Sequence, residues 1–561
     1  MFDAIVIGSG MSGGIAAKEL SERGLKTLVL ERGVRMEHGA SYSDSVLPWE
    51  LINANKVNEE ELKRDYPVQG RQYAMSEVNK HYWAKDSEQP YSVDEDKPFD
   101  WFRGNLLGGR SVMWGRQTYR MSEMDFEANA RDGHGSDWPI RYADLAPWYS
   151  HVETFIGVSG SREGLPQLPD GEFLPPFALN DVEKDFAAKV ASKFDGRRVI
   201  PGRCAHLTET RPHHEELGRM QCQVRSLCER GCTFGAYHSS LSSSLPAAMA
   251  TGNCTIVTDA IVHSIIQDPK TGKATGVRVI DANSREGKTY QAKIIFLCAS
   301  TIGSAQILLN SASEKNPTGL GNSSDMLGRN LMDHIMAGTA GIYPGFRDSF
   351  YRGRRPTGFY LPRFRNVTEP GDFLRGYGYQ GGGMRLGWKT PWKAGKGVGA
   401  PVKEIARKPG PWVVFLSAFG EMLPNPENRV TLHKTKTDIW GIPQVHIECA
   451  HGDNETRMAK QISTDARAMI EAAGAMVIMD AAGKLGTPGA GIHEMGTACM
   501  GKDPKTSVLN KYNQLHDVPN IFVTDGAAMA SGGCQNPSIT YMALSARAAH
   551  HASEFLKEGA L

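Results

Sequence analysis

The sequence predicts an α/β fold: a Rossmann-like domain interleaved with an α+β domain built on an antiparallel sheet. Three observations predict it. The first thirty-odd residues run apolar stretch, glycine turn, helical stretch, apolar stretch, which reads as strand, turn, helix, strand. A second apolar run at residues 294–298 passes through small residues into another helix. Between residues 335 and 488 the pattern changes to aromatics and short alternating segments, as in antiparallel strands joined by long loops. At 561 residues the chain exceeds one ordinary hydrophobic core, so two domains are expected. The first takes residues 1–45, 100–130, 200–334 and 489–561; the second, with a lid, takes 46–99, 131–199 and 335–488.

The opening unit carries Gly8, Gly10 and Gly13 at the spacing of a dinucleotide-binding turn. Gly8 permits the tight turn, Gly10 lets a pyrophosphate approach the backbone, and Gly13 lets the helix pack close to the sheet. Met11 and Ser12, at the helix start, belong to the same site. Glu31 ends the second strand, where a carboxylate can accept from both hydroxyls of an adenosine ribose, and Arg32 follows it. A strand before, a helix after and an acid at the right distance favour a dinucleotide site over a plain βαβ turn.

Residues 33–100 are polar and aromatic without a sustained period, which suits an excursion or lid. Gly108 and Gly109, followed by Ser111, let backbone pass beside something flat or anionic. Residues 137–156 read as an amphipathic helical region whose Trp138, Trp148 and Tyr149 belong to the core. Strands alternate between residues 254 and 297, with Gly272 and Lys273 in a hairpin turn. Ala299 opens the strand-to-helix passage, whose small residues again admit a cofactor. Residues 328–334 mark an exit to the other domain, and the basic tract from Lys389 to Lys408 reads as a solvated loop.

The closing segment carries the chemistry. His493 lies within residues 491–501, Asp525 and Gly526 follow an apolar run, and Asn536-Pro537 opens a helix running to about residue 556. Asn536 suits the N-cap and Pro537 the first turn, with Thr540 just beyond, so this helix directs its positive end at whatever lies before it.

Composition excludes other classes. Lys plus Arg number 63 against 62 Asp plus Glu, which argues against a nucleic-acid surface or a polybasic membrane patch. No apolar run approaches the length of a membrane span, and the glycine motif begins too early to leave room for a signal peptide. By itself the chain reads as cytoplasmic. Nine cysteines are too sparse for a disulfide scaffold, yet Cys222, Cys228 and Cys232 cluster. Three such thiols can ligate a metal centre, form one disulfide with a spare, or be buried small residues; zinc fits less well because a fourth ligand and a CxxC pair are absent.

These motifs, in this order, resemble the glucose-methanol-choline (GMC) family of FAD oxidoreductases. The resemblance implies an FAD-binding first domain and an enzyme that oxidises CH–OH groups by hydride transfer to flavin N5. It implies that His493 is the base and that Asn536 hydrogen-bonds the substrate oxygen. Asp525 and Gly526 would face the cofactor, with Pro537 and Thr540 at its pyrimidine edge. Some relatives attach FAD through a histidine where this chain has Met113, so FAD is expected to be non-covalent. The cysteine loop resembles the iron–sulfur loop of membrane-linked bacterial sugar dehydrogenases, although Arg225 stands where related loops often have another cysteine. Residues 239–253 and 534–538 look most like bacterial glucoside 3-dehydrogenases. That likeness implies oxidation of glucosides to 3-keto sugars, electrons passed to a cytochrome c partner, a small subunit, and periplasmic work through co-export with it. A pyranose-oxidase-like sugar oxidase using O₂ and a gluconate or polyol dehydrogenase are the alternatives.

Overall fold

A computed structural model describes residues 1–346, 357–385, 399–407 and 410–561 of the chain. Its first sheet has at its centre the strand Phe2–Ile7, flanked by Thr27–Leu30 and then Cys254–Val257 on one side and by Gly287–Leu297 on the other. These pairings are parallel, and Ile521–Val523 extends them beyond Gly287–Leu297. Parallel strands covered on both faces should be continuously apolar, and Ala4, Ile5 and Val6 together with residues 294–297 are fully buried. The strand Gly287–Leu297 is shared: its first half pairs antiparallel with Ala274–Asp281, which pairs in turn with Ala260–Gln267. Gly272 sits in the connecting turn with φ +72°.

Helix Met11–Glu22 starts where sequence predicts, and the helix Ser538–Lys557 packs against it. The reason for the spacing is steric. A Cβ on Gly13 would lie 1.9 Å from the carbonyl oxygen of Gly8, so helix and turn can close only on a glycine.

The second sheet has six strands in the order Met476–Asp480, Ile335–Tyr343, Trp412–Gly420, Tyr377–Arg385, Phe359–Leu361 and Ile200–Pro201, antiparallel throughout. Two helices cover it. Asp181–Lys193 contributes Val182, Phe186 and Val190 to its core; Asp453–Ala472 contributes Met458, Ala459, Ile462, Ala466, Met469 and Ile470. This second helix lies inside a region whose composition suggested strands and loops alone. Residues 66, 82 and 83 pack with Leu106, Val112 and Leu241, so part of the expected lid shares a core with the first domain's glycine stretch rather than with the second sheet. Of the basic tract, residues 389–398 and 408 lie outside the described residues, while Ala400–Ala406 is helical.

Candidate active site

A cavity of about 380 Å³ opens at the carboxyl ends of the parallel strands, where open α/β sheets bind their ligands, and extends to the second sheet. It is lined by Gly8, Gly10, Met11, Ser12, Glu31, Arg32, Gly109, Ser111, Ala299, Asp525, Gly526, His493, Asn536 and Pro537, so residues from distant parts of the sequence meet on one surface. Gly13 and Gly108 act from behind it: Gly13 seats the helix on Gly8, and the Gly108 amide donates to Ser9 Oγ at 2.8 Å. Thr540 does not reach the cavity. Its hydroxyl bonds Tyr149 at 2.8 Å and ties the closing helix to Tyr142–Ile156 instead.

The surroundings fit a bound dinucleotide. A Cβ on Gly10 would meet nothing within 4 Å, so the backbone there is open to a body entering the cavity. Glu31 is buried; its carboxylate accepts from the Ser9 amide (3.0 Å) and hydroxyl (2.5 Å) and from the Gly33 amide (2.8 Å), and burial raises its pKa. Arg32 has a buried Nε without a partner among the described residues, and burial lowers its pKa to about 10. Asp525 caps the short turn Gly526–Ala528 and accepts from Ser304 at 2.6 Å; burial pushes its pKa up to about 6. Met113 lines the cavity.

At the opposite end the sequence's two chemical residues meet. Asn536 Nδ2 lies 3.1 Å from His493 Nε2, and Gln380 Nε2 donates to Asn536 Oδ1 at 2.6 Å. Asn536 therefore does not cap the closing helix: Pro537 occupies the N-cap position with no side-chain bond, and the amide is used in the cavity. His493 Nδ1 faces His334 Nδ1 at 2.9 Å, and His334 Nε2 reaches the Gly533 carbonyl at 2.8 Å. Burial, His334 and Arg110 together hold the His493 pKa well below the usual imidazole value, and burial lowers His334 to about 4. The loop bearing His493 is pinned by Asp333, whose carboxylate accepts the amides of Gly491 (2.8 Å) and His493 (2.9 Å), and by a Glu494–Arg110 ion pair at 2.7 Å. Burial and Glu494 raise Asp333 to about 7. Sequence reasoning missed the roles of His334, Gln380, Asp333 and the Arg110–Glu494 pair. Three of these flank motifs it had singled out, whereas Gln380 lies in the second sheet with no local signal.

A second, small cavity lies in the cysteine loop, lined by Cys222, Cys228, Cys232, His206, Arg225 and neighbours. No disulfide forms among the nine cysteines. The three sulfurs do not close on one ion: among the described residues the only trio within such reach is Asp94, His446 and Glu448. Arg225 is engaged with Asp44 in an ion pair. Two other buried cations face this loop, and of these Arg219 has no carboxylate partner among the described residues. Arg219 donates to the carbonyls of Gly235 and Ile156, leaves Nη2 unbonded, and burial lowers its pKa to about 9, opposed by Cys232. Arg116 donates to the Trp114 carbonyl, leaves Nε unbonded among the described residues, and interacts with Cys228 and with the carboxylate of Glu229. His206, 1% exposed, has neither ring nitrogen bonded among the described residues. Burial raises the Cys222 thiol to about 12.

A nucleotide-binding Rossmann turn joined to a buried imidazole–amide pair describes a flavin-dependent oxidoreductase acting on CH–OH groups. Family models described as "GMC oxidoreductase" match residues 211–336 and 424–545. The chain is 29% identical to 2-methyl-1,2-propanediol dehydrogenase of Mycolicibacterium austroafricanum, over 98% of this chain and 95% of that one. It is 27% identical to the fructose dehydrogenase large subunit of Gluconobacter japonicus (99% and 98% covered) and 26% to paromamine 6'-oxidase of Streptomyces fradiae (98% and 91%). The solved structure of pyridoxine 4-oxidase from Mesorbium loti shares the fold, with a TM-score of 0.62, 17% identity and 98% of each chain covered. The chain thus carries the N- and C-terminal GMC oxidoreductase domains, and proteins of that family are FAD-binding flavoproteins.

Proposed function

We propose that this protein is a dehydrogenase that oxidises a secondary hydroxyl of a pyranose or glycoside, with C3 of glucosides as the preferred position. The observation that carries the reading is the approach of Asn536 Nδ2 to His493 Nε2 at the wall of the cavity. In the resting site the amide occupies the imidazole nitrogen; an alcohol oxygen entering there accepts from Asn536 and donates its proton to His493. The lowered pKa of His493 keeps that imidazole neutral, hence able to accept, across the neutral range. Gly8 to Ser12, Glu31, Arg32 and Asp525 would hold FAD, which when bound supplies the acceptor for the substrate's hydride; Met113 offers no histidine for a covalent link, so the cofactor is taken as dissociable.

Sugar chemistry is supported by relatives named for fructose and paromamine. We assign the cysteine loop to an iron–sulfur cluster held by Cys222, Cys228 and Cys232, supplying a one-electron exit. Support comes from Arg219, buried without a carboxylate partner among the described residues, which would compensate the negative charge of thiolate ligands. The electrons then pass to a cytochrome c, with a small subunit and a periplasmic location as in the glucoside 3-dehydrogenases this loop resembles; that one relative is itself called a large subunit agrees with such an assembly. The paromamine relative, named an oxidase, favours the alternative that O₂ is the acceptor.

Anaerobic bleaching of the bound flavin against a panel of glucosides, with product analysis at C2 and C3, tests the reading. We expect bleaching with glucosides and a 3-keto product. Absence of bleaching with every sugar removes the substrate assignment, and stoichiometric hydrogen peroxide in air transfers the protein to the oxidases.

A further inference from the structure

We infer that His334 is a positioning residue that fixes the tautomer of His493, holding its proton on Nδ1 and leaving Nε2 bare toward the substrate. The inference rests on the assignment of His493 as the base and follows from where the hydrogen-bond chain ends. The Gly533 carbonyl can only accept, so His334 Nε2, 2.8 Å away, carries a hydrogen. A neutral imidazole has one such hydrogen, which leaves His334 Nδ1 an acceptor. The atom facing it at 2.9 Å is His493 Nδ1, which must therefore donate. Only Nε2 of His493 then remains without a proton.

The other end of the chain gives the same polarity independently. Gln380 donates to Asn536 Oδ1, so the Asn536 amide turns its N–H toward His493 Nε2, the arrangement that a bare nitrogen accepts. Both imidazoles are neutral at working pH, since burial lowers each of them. The structural purpose of a second buried histidine is then specific. A donor at that place would push the His493 proton onto Nε2 and abolish its basicity toward substrate. An apolar side chain would leave the tautomer unset. In a serine protease, losing the group that sets the tautomer lowers turnover by about 10⁴.

Two measurements on the FAD-loaded protein test this. In protein labelled with ¹⁵N-histidine, the His493 signals are those absent from His493→Gln; we expect a protonated Nδ1 and an unprotonated Nε2, and a protonated Nε2 overturns the inference. In anaerobic stopped flow with the best glucoside, His334→Gln, which retains one acceptor and one donor, is expected to bleach its flavin within about tenfold of the original rate. His334→Phe is expected to be slower by about 100-fold or more at unchanged flavin content. Bleaching of His334→Phe at the original rate overturns the inference, and if that variant fails to fold, the nitrogen signals decide. Unimpaired bleaching by His493→Gln would instead remove the underlying base assignment.

Discussion

At the scale of single residues, what could be read from sequence was what sequence places together. Gly8, Gly10, Gly13 and Glu31 form one local unit, so their chemistry follows from spacing alone. His334 and His493 are 159 residues apart and Gln380 and Asn536 are 156 apart, and no local pattern encodes meetings of that kind. Asp333 is a third case, and its ionisation has a measurable consequence. Burial and Glu494 raise it to about 7, while His493 titrates far below its usual range, so of these two bonded groups it is Asp333 that changes charge near neutrality. Its carboxylate is bonded to the amide of His493 itself, so ionised Asp333 favours the imidazolium that forms when the base accepts a proton. We expect the rate of flavin reduction to rise with pH through about 7, and the inflection to vanish in Asp333→Asn. Stability runs the opposite way: a carboxyl whose folded pKa is raised stabilises the fold at low pH and loses that contribution as pH climbs through about 7. A denaturation midpoint that does not fall across this interval would contradict the assignment.

Elements show where pattern reading is weakest. The helix Asp453–Ala472 is polar on average, and a region scanned for alternating strands conceals it; yet Met458, Ala459, Ile462, Ala466, Met469 and Ile470 recur at helical spacing and are all fully buried. The two-residue strand Ile200–Pro201 joins the second sheet through pairing with Phe359–Leu361, and no sequence signal marks so short an edge. The closing helix was located well, but its start was misread because an Asn before a Pro fits a cap as readily as a ligand-facing amide. The role of Asp453–Ala472 is to back the sheet that carries Gln380, without touching the cavity. Ile462→Ala should therefore lower unfolding free energy by about 2–5 kcal/mol while leaving the bleaching rate at room temperature within about twofold of the original. Urea unfolding followed by far-ultraviolet circular dichroism measures the first, stopped flow the second. A large loss of bleaching rate at full flavin content would show that this helix positions the site and does not merely support it.

For the whole molecule, the two cavities are set close together by a short protein bridge. Trp114 and Arg116 line the first cavity, and Arg116 interacts with Cys228 at the second. Between them stands Tyr237, fully enclosed, whose hydroxyl bonds the carbonyl of Val112 on the flavin side and that of Cys228 (3.4 Å) on the other. On the proposed reading, electrons enter at the substrate site and leave through the adjoining thiol site beside Arg219. The two halves of turnover should then separate by mutation. Cys232→Ser is expected to remove iron and acid-labile sulfide from anaerobically purified protein and to slow reduction of a one-electron acceptor, while anaerobic bleaching by glucoside continues at its original rate, because Cys232 lines only the second cavity. Iron and sulfide assays read the first effect, acceptor kinetics the second, and stopped flow the third. Equal iron content before and after the substitution, or its absence from both proteins, would leave Arg219 as a structural cation and would return electron exit to the flavin cavity itself.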